Sequence, residues 1–364
     1  MILAAKCQKR AEQGFVLVAV IVFLTIFLVG ASIFALWVER RIADAISTQE
    51  QSQLSMDNIS TRNALLYLLS TGDMESQGMP IKVNTGGRST SLETSFGLGL
   101  QSERNRIDPA ALLKLDDRRY TGYGNCVFSI QDEAGLLLLN FISPQRLSQL
   151  LALLEVPFEE RSALIDKLLD YQDSNDLVRL NGAERKAYEK AGERPPPNRQ
   201  LLTTWEIAAV LDWKTKVPVN QLARLTTVDH TGAIAINSAP AFIIRTLPGI
   251  DANDAEKIIL SRNNAPISSL KHLQLILGKN IGLLDMAVMF TPSLTQRITF
   301  WDPNRKQAEE FHITLTPFSE HNTPWIIDGP VIFSTVILPA DQNSANQAQE
   351  ILFFKSSVSA KKRD

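Results

Sequence analysis

The residues best equipped for chemistry are Asp170, Asp173, Asn175, Asp176 and Glu184. The first four of these fall between positions 170 and 176, where a helical pattern gives way to loop. A hard cation such as Ca²⁺ takes about six to eight oxygens from carboxylates, amides and backbone carbonyls, and this stretch could supply several of them. The role of such a cation would be structural. The spacing is not that of an EF-hand, which needs a glycine at position six and a bidentate glutamate at position twelve. The same residue types also suit a solvated polar turn after a helix.

A second candidate is Leu247-Pro248-Gly249-Ile250-Asp251, close to a helix-hairpin-helix turn. In nucleic-acid-binding versions the glycine turn and the following helix start offer backbone N–H groups to a phosphate. Here Asp251 replaces the second glycine, and Asp254 and Glu256 follow, so carboxylates would serve the helix start and repel a phosphate. From Asn237 to Leu275 there are four basic and three acidic residues, which is no footprint for a polyanion. A helical hairpin with Ile236, Ile244, Leu247, Ile250 and Ile258 as its core is the favoured reading. No nucleic-acid partner is expected.

Catalytic patterns are missing. There is no Gly-x-Ser-x-Gly, His-Glu-x-x-His, P-loop or Cys-x-x-Cys, and His230, His272, His312 and His321 have no evident partners. Cys7 and Cys126 are the two cysteines.

The elements around these candidates fall into three blocks. From Ser143 to about Pro292 the pattern is helical and contains an internal repeat. In one copy Asn140 closes a strand and leads to helices over Gln145–Leu154 and Glu159–Asp170, with a third helix capped at Thr203-Thr204. In the other copy Asn237 leads to Phe242–Thr246 and Asn253–Ser261, with a new cap at Ser268-Ser269 before Leu270–Leu277. The 97-residue offset from Asn140 to Asn237 is too long for a solenoid and predicts two lobes of one α-domain. Strands are predicted on both sides: a hairpin of Asn125–Gln131 with Leu136–Phe141 before it, then Leu294–Trp301, Phe311–Thr316, Val331–Leu338 and Ile351–Lys355 after it. Turns are expected at Asp302-Pro303-Asn304 and Asp328-Gly329-Pro330. A helical turn is expected at Asp108-Pro109.

The first block is the N-terminal stretch. Phe15 to Val38 is an uncharged apolar run, about 36 Å long as a helix and enough for a hydrocarbon core of about 30 Å. Neither glycine nor proline occurs from Ala31 to Thr71, so one helix can run from about Phe15 to about Leu69, with Met56, Ile59, Leu65, Leu66 and Leu69 forming an apolar stripe. Lys6, Lys9 and Arg10 precede the run, whereas Glu39-Arg40-Arg41 and Asp44 balance its far side, which places the N-terminus in the cytoplasm and the rest outside.

Gly14 before the run and Phe15 at its start resemble the leader of type IV prepilins and pseudopilins. The resemblance implies cleavage after Gly14 by the prepilin peptidase and methylation of Phe15. Loss of that leader takes Lys6, Lys9 and Arg10 from 37 basic residues and Glu12 from 39 acidic ones, so the net charge moves from −2 to −4. No positive field remains to attract nucleic acid. Ala19 stands where most pilins carry a glutamate at the fifth mature position, and its absence is characteristic of the K-type minor pseudopilin of type II secretion. The large helical insertion within a sheet protein resembles that family too. So do Leu164–Asp176 with Leu180-Asn181-Gly182-Ala183-Glu184, Pro197–Leu201, Thr204–Ile207, and Asn237–Pro240 with Leu247–Ile250.

The resemblance implies an α+β fold: a pilin-like long N-terminal helix on an antiparallel sheet, with a large inserted α-helical domain and a single transmembrane helix. The expected divisions are a cleaved leader at 1–14, the transmembrane part at 15–38, the first part of the pilin-like domain at 39–142, the inserted α-domain with two helix-hairpin-helix-like lobes at 143–292, and C-terminal strands at 293–364. It further implies a non-enzymatic subunit at the tip of the pseudopilus, held in the inner membrane with a periplasmic C-terminal domain. Its partners would be the I- and J-type minor pseudopilins, other pseudopilins and the inner-membrane assembly platform. Calcium is associated with the α-domain loops of that family. The alternatives are a membrane-tethered periplasmic DNA receptor and a membrane-anchored periplasmic enzyme.

Overall fold

A computed structural model describes residues 13–72, 74–76, 78–81, 112–228, 232–282, 287–302, 304–317, 323–335, 348–351 and 354. The predicted turn at Asp108-Pro109, as well as His230 and His321, lie outside them. Residues up to Asp57 form one compact unit and those from Asn58 a second.

With nothing to break it, the N-terminal stretch forms one helix, α1 (Gln13–Thr71). In the first unit it is long and apolar enough to cross a membrane. Near the end of the apolar run Phe34 stacks on Trp37, with ring centroids 6.1 Å apart, and the Arg41 guanidinium lies 5.3 Å from the Trp37 ring. Aromatic and basic side chains of this kind suit the membrane–water boundary. In the second unit the face of α1 that goes inward is Thr61, Leu65, Leu66 and Leu69, spaced by one helical turn. Met56 and Ile59, expected on the stripe, are exposed.

The sheet that receives this face has six strands. After β1 (Met79–Pro80) and β2 (Leu112–Leu113), which pair with each other, come β3 (Asp116–Thr121) and β4 (Val127–Asp132). The chain leaves the sheet after β4 and returns, once residues 133–294 have passed, as β9 (Thr295–Asp302), β10 (Gln307–Leu315), β11 (Trp325–Ser334) and β12 (Gln349–Glu350). The order is β11-β10-β9-β4-β3-β12, antiparallel except for β12 against β3. Phe128, Ile130, Ile298, Phe300, Phe311 and Ile313 form one core with the leucines of α1.

The insertion opens with a one-turn 3-10 helix (Glu133–Gly135) and β5 (Leu137–Leu138). The first lobe continues through α2 (Pro144–Leu153), α3 (Phe158–Gln172), α4 (Arg185–Ala191), a 3-10 segment (Thr204–Ala209), α5 (Trp213–Lys216) and α6 (Val219–Leu225) to β6 (Thr226–Thr227). The second runs from β7 (Ile234–Ala235) through α7 (Ala241–Ile244), α8 (Ala252–Asn264) and α9 (Leu270–Leu277) to β8 (Val288–Met289). Each lobe closes by pairing its first and last strands in parallel. The two lobes share one core, from Leu137 to Val288.

Three expectations are corrected. Leu136–Phe141 does not return along β4, because Glu133–Gly135 is a buried turn that feeds the lobe, and Leu137 pairs with Thr226 instead. The neighbours of β4 are β3 and β9. Asp328-Gly329-Pro330 is not a boundary between strands but lies inside β11, opposite an irregularity between Glu310 and His312 that absorbs the missing proline N–H. Among the described residues the pairing near the C-terminus falls at Gln349–Glu350 and not at Ile351 or Phe354, because Phe354 N donates to Ile351 O at 3.1 Å and both side chains enter the core.

Candidate functional site

The acidic stretch sits where α3 ends. Asp170 is fully buried in the last turn, two residues before the end, and Asp173 is the first residue beyond it. Arg179 returns to both: its Nε lies 3.2 Å from Asp170 Oδ1, its Nη2 donates to Asp173 Oδ2 at 3.2 Å, and its backbone N–H donates to Asp170 Oδ2 at 3.2 Å. Gly182 makes this return possible, because a Cβ there would lie 1.9 Å from Asp170 Oδ2. Glu184, at the start of α4, is 5% exposed, and neither carboxylate oxygen has a hydrogen-bond partner. Burial first, then the charges of Asp170, Asp173 and Asp176, push its carboxyl up to about 7. Burial also raises Asp170, against the opposing pull of Arg179.

The other two predicted residues face the loop. The Asn175 side chain donates to Asp173 Oδ1 at 3.0 Å and accepts from Leu177 N at 2.8 Å. Asp176 Oδ1 accepts from Asn198 Nδ2 at 2.9 Å, which ties this loop to the one around residue 198. Asp170, Asp173 and Glu184 are therefore the inner members and Asn175 and Asp176 the rim. Among the described residues no three His, Cys, Asp or Glu groups are arranged to enclose a metal ion as they stand. Arg179 and Gly182 are not among the expected site residues, although a basic residue inside an acidic run and a glycine just before a glutamate are visible in the sequence.

The two lobes repeat one device. Asn140 follows β5 and donates to the carbonyls of Leu201 (3.1 Å) and Val228 (3.3 Å), while its oxygen accepts from Leu201 N (2.9 Å). Asn237 follows β7 and does the same with the carbonyls of Ile267 (2.9 Å) and Phe290 (3.1 Å) and with Ile267 N (2.9 Å). Each amide thus fastens the strand that opens a lobe to a mid-lobe loop and to the residue after the closing strand.

In the second lobe the hairpin turn before α8 is made by Gly249, whose φ of 73° suits glycine. Ile236, Ile244, Leu247, Ile250 and Ile258 are all buried, as expected of a helical hairpin. The start of α8 is closed by a capping box: Asp251 accepts from Asp254 N at 2.8 Å, and Asp254 accepts from Asp251 N at 3.1 Å. Lys279 pairs with Asp254. Two backbone donors at this helix start, Asp251 N and Asp254 N, are thus held by the protein's own carboxylates.

A buried charged network joins the insertion to the sheet. Arg224 of α6 pairs with Glu310 of β10 and Asp117 of β3, and donates to Thr299 of β9 at 2.9 Å. Arg297 of β9 donates to the carbonyls of Ala223 (3.2 Å) and Thr226 (2.6 Å). His312 of β10, expected to lack a partner, pairs with Glu133 and lies 3.5 Å from Glu310. Burial alone would lower the His312 pKa, but Glu133 and Glu310 outweigh it and raise it to about 9, against the charge of Arg297. Glu310, despite its burial, is held below the carboxylate range by Arg297, His312 and Arg224. Trp205 of the first lobe stacks on Phe333 of β11 at 5.0 Å and donates to Glu310 at 3.2 Å.

Gly14 and Phe15 lie in the first turn of α1, and Ala19 follows one turn later, half-buried.

A sheet protein with an apolar leading helix and a two-lobed helical insertion defines the class. Residues 139–229, essentially the first lobe, match the family model described as type II secretion system (T2SS), protein K. The match covers a quarter of the chain and makes its first lobe similar to protein K of type II secretion, the family that the leader and insertion resemble. No curated protein matches the sequence. Among solved structures, a chain of the GspK-GspI-GspJ complex from the type 2 secretion system of enterotoxigenic Escherichia coli is similar at 13% identity and a TM-score of 0.48, over 79% of this chain and 98% of that one.

Proposed function

We propose that this protein caps the tip of the type II secretion pseudopilus and acts through assembly rather than catalysis. The observation that carries the reading is the lobe matching protein K, set inside a sheet that follows a long apolar helix. In this reading the prepilin peptidase cuts after Gly14, and the methylated Phe15 begins a helix anchored in the inner membrane, with the sheet and insertion in the periplasm. Ala19 cannot offer a carboxylate to the N-terminal amine of a subunit above it, which suits a position with no subunit above. The I- and J-type minor pseudopilins, the partners named in the solved complex, would be its neighbours, with other pseudopilins and the assembly platform below. N-terminal sequencing of the mature protein should find N-methylated Phe15; an intact Met1 would sink the proposal. The Ala19→Glu variant should fold normally. Isolation of filaments with subunits stacked beyond the insertion would refute the tip position.

The acidic loop, in the same proposal, holds Ca²⁺ as a structural ion. Support comes from the buried, unbonded oxygens of Glu184 beside Asp170 and Asp173, an all-oxygen donor set of the kind a hard cation takes. Asp170, Asp173 and Glu184 would hold the ion, with Asn175 and Asp176 at the rim. Bound there, it would supply charge neutralisation and brace α3 against α4. Calorimetric titration of the detergent-solubilised chain should show saturable Ca²⁺ binding with a rise in Tm, both lost in Glu184→Gln.

A further inference from the structure

Arg179 already occupies part of the space between the acids of this loop. Its guanidinium bridges Asp170 Oδ1 and Asp173 Oδ2 at 3.2 Å each. It does not reach Glu184, whose oxygens remain buried and unbonded. One positive charge therefore serves two of three neighbouring carboxylates, and the third is left for something else. The Arg179 side chain is 43% exposed, so it can swing into water without first being dug out of a core. The acids cannot move as easily: Asp170 is fully buried against Gly182. A divalent ion on the oxygens of Asp170 would be repelled by a guanidinium on the same carboxylate, and the two cannot both be satisfied.

We propose that Arg179 is a tethered competitor for this site, a cation built into the chain that holds the acidic loop together until a divalent cation displaces it. The inference rests on the cation reading above. In the arginine-held form the loop is fixed by Arg179, by Asn175 accepting from Leu177 N, and by Asp166 accepting from Asn181 N at 3.1 Å. The cation-held form has the guanidinium free in solvent and Glu184 engaged. The arginine sets a threshold: the site fills only where the divalent cation is concentrated enough to outcompete a side chain that is always present.

The test is Ca²⁺ titration by calorimetry of the full-length protein in detergent, for the wild type, Arg179→Gln, Arg179→Lys and Arg185→Gln. Arg179→Gln should bind about tenfold more tightly than the wild type and, without Ca²⁺, should melt at a lower temperature that added Ca²⁺ restores. Arg179→Lys keeps a tethered charge and should stay within about threefold of the wild type. Arg185 is exposed and its substitution removes a nearby charge without touching the acids, so Arg185→Gln should also stay within that range. Equal affinities of the wild type and Arg179→Gln would overturn the competitor role while leaving the cation site standing. So would an equal gain in Arg185→Gln, which would mark a general charge effect. Absence of binding in every variant would remove the cation site and the competitor with it.

Discussion

His312 shows how far a side chain can be carried from its ordinary behaviour by its neighbours. Its raised pKa means that the folded protein holds the proton more tightly than the unfolded chain does. The stabilisation is complete below the ordinary value of 6.5 and is lost as pH rises through about 9. The wild type should therefore lose about 5 °C in Tm between pH 7 and pH 9.5, followed by circular dichroism in detergent. His312→Gln should melt lower at pH 6.5 but show a flatter profile over that window. Gly182 makes the opposite point, since it matters for what it lacks. A methyl group there would collide with the buried Asp170 carboxylate, so Gly182→Ala should cost about 2 kcal/mol in urea unfolding. A change within a few tenths of a kcal/mol would mean that Asp170 is free to move.

At the scale of elements, the asparagine that ends each opening strand is worth more than any one helix cap. Each amide satisfies backbone groups from two distant segments, which would otherwise be left unpaired. Asn140→Ala and Asn237→Ala should each lower stability by about 3 kcal/mol. Asn140→Asp keeps the acceptor for Leu201 N but loses both donors and should be no better. Equilibrium unfolding of the three variants checks this. The repeat is legible in the sequence because asparagine, proline and cap residues are local signals. Ser269 caps α9 as its position before Leu270 suggests, accepting from His272 N at 3.2 Å. The parallel pairs β5–β6 and β7–β8 are not legible, because two-residue strands that meet from distant parts of the chain carry no periodicity. Strand β3 reads Asp-Asp-Arg-Arg-Tyr-Thr, with Asp117 at φ 62° and an irregular register; Asp117 reaches the charged network, Asp116 pairs with Arg118, and Arg119 lies over Trp301. Pattern reading assumes one apolar and one solvated face, and here the face opposite the apolar core is ionic and covered by the insertion. His312 escapes it for the same reason: its partners, Glu133 and Glu310, come from the entry turn of the insertion and from its own strand.

For the molecule as a whole, the insertion and the sheet are fastened by charge as well as by apolar packing. Burying ions is costly unless they are paired, and removing one partner leaves the other stranded. Arg224→Met removes the partner of Glu310 and Asp117 and should destabilise by about 3–5 kcal/mol. Limited proteolysis should then cut within residues 133–294 before the sheet. Cleavage spread evenly through the chain would mean that the network does not set the junction.

The strands on either side of the insertion are hydrogen-bonded neighbours, with Val127 opposite Trp301 and Asp132 opposite Gln296. Everything between them leaves and re-enters the sheet at one point, where Asp132 holds both ends by accepting from Ala134 N and Ser293 N, each at 3.1 Å. A short turn could close that gap, so the sheet by itself would need nothing more than a hairpin between β4 and β9. Removal of the insertion today would strip Arg297 of its carbonyl acceptors and Glu310 of Arg224. The sheet therefore depends on its insertion, and a trimmed sheet would have to lose those charges before it could stand alone.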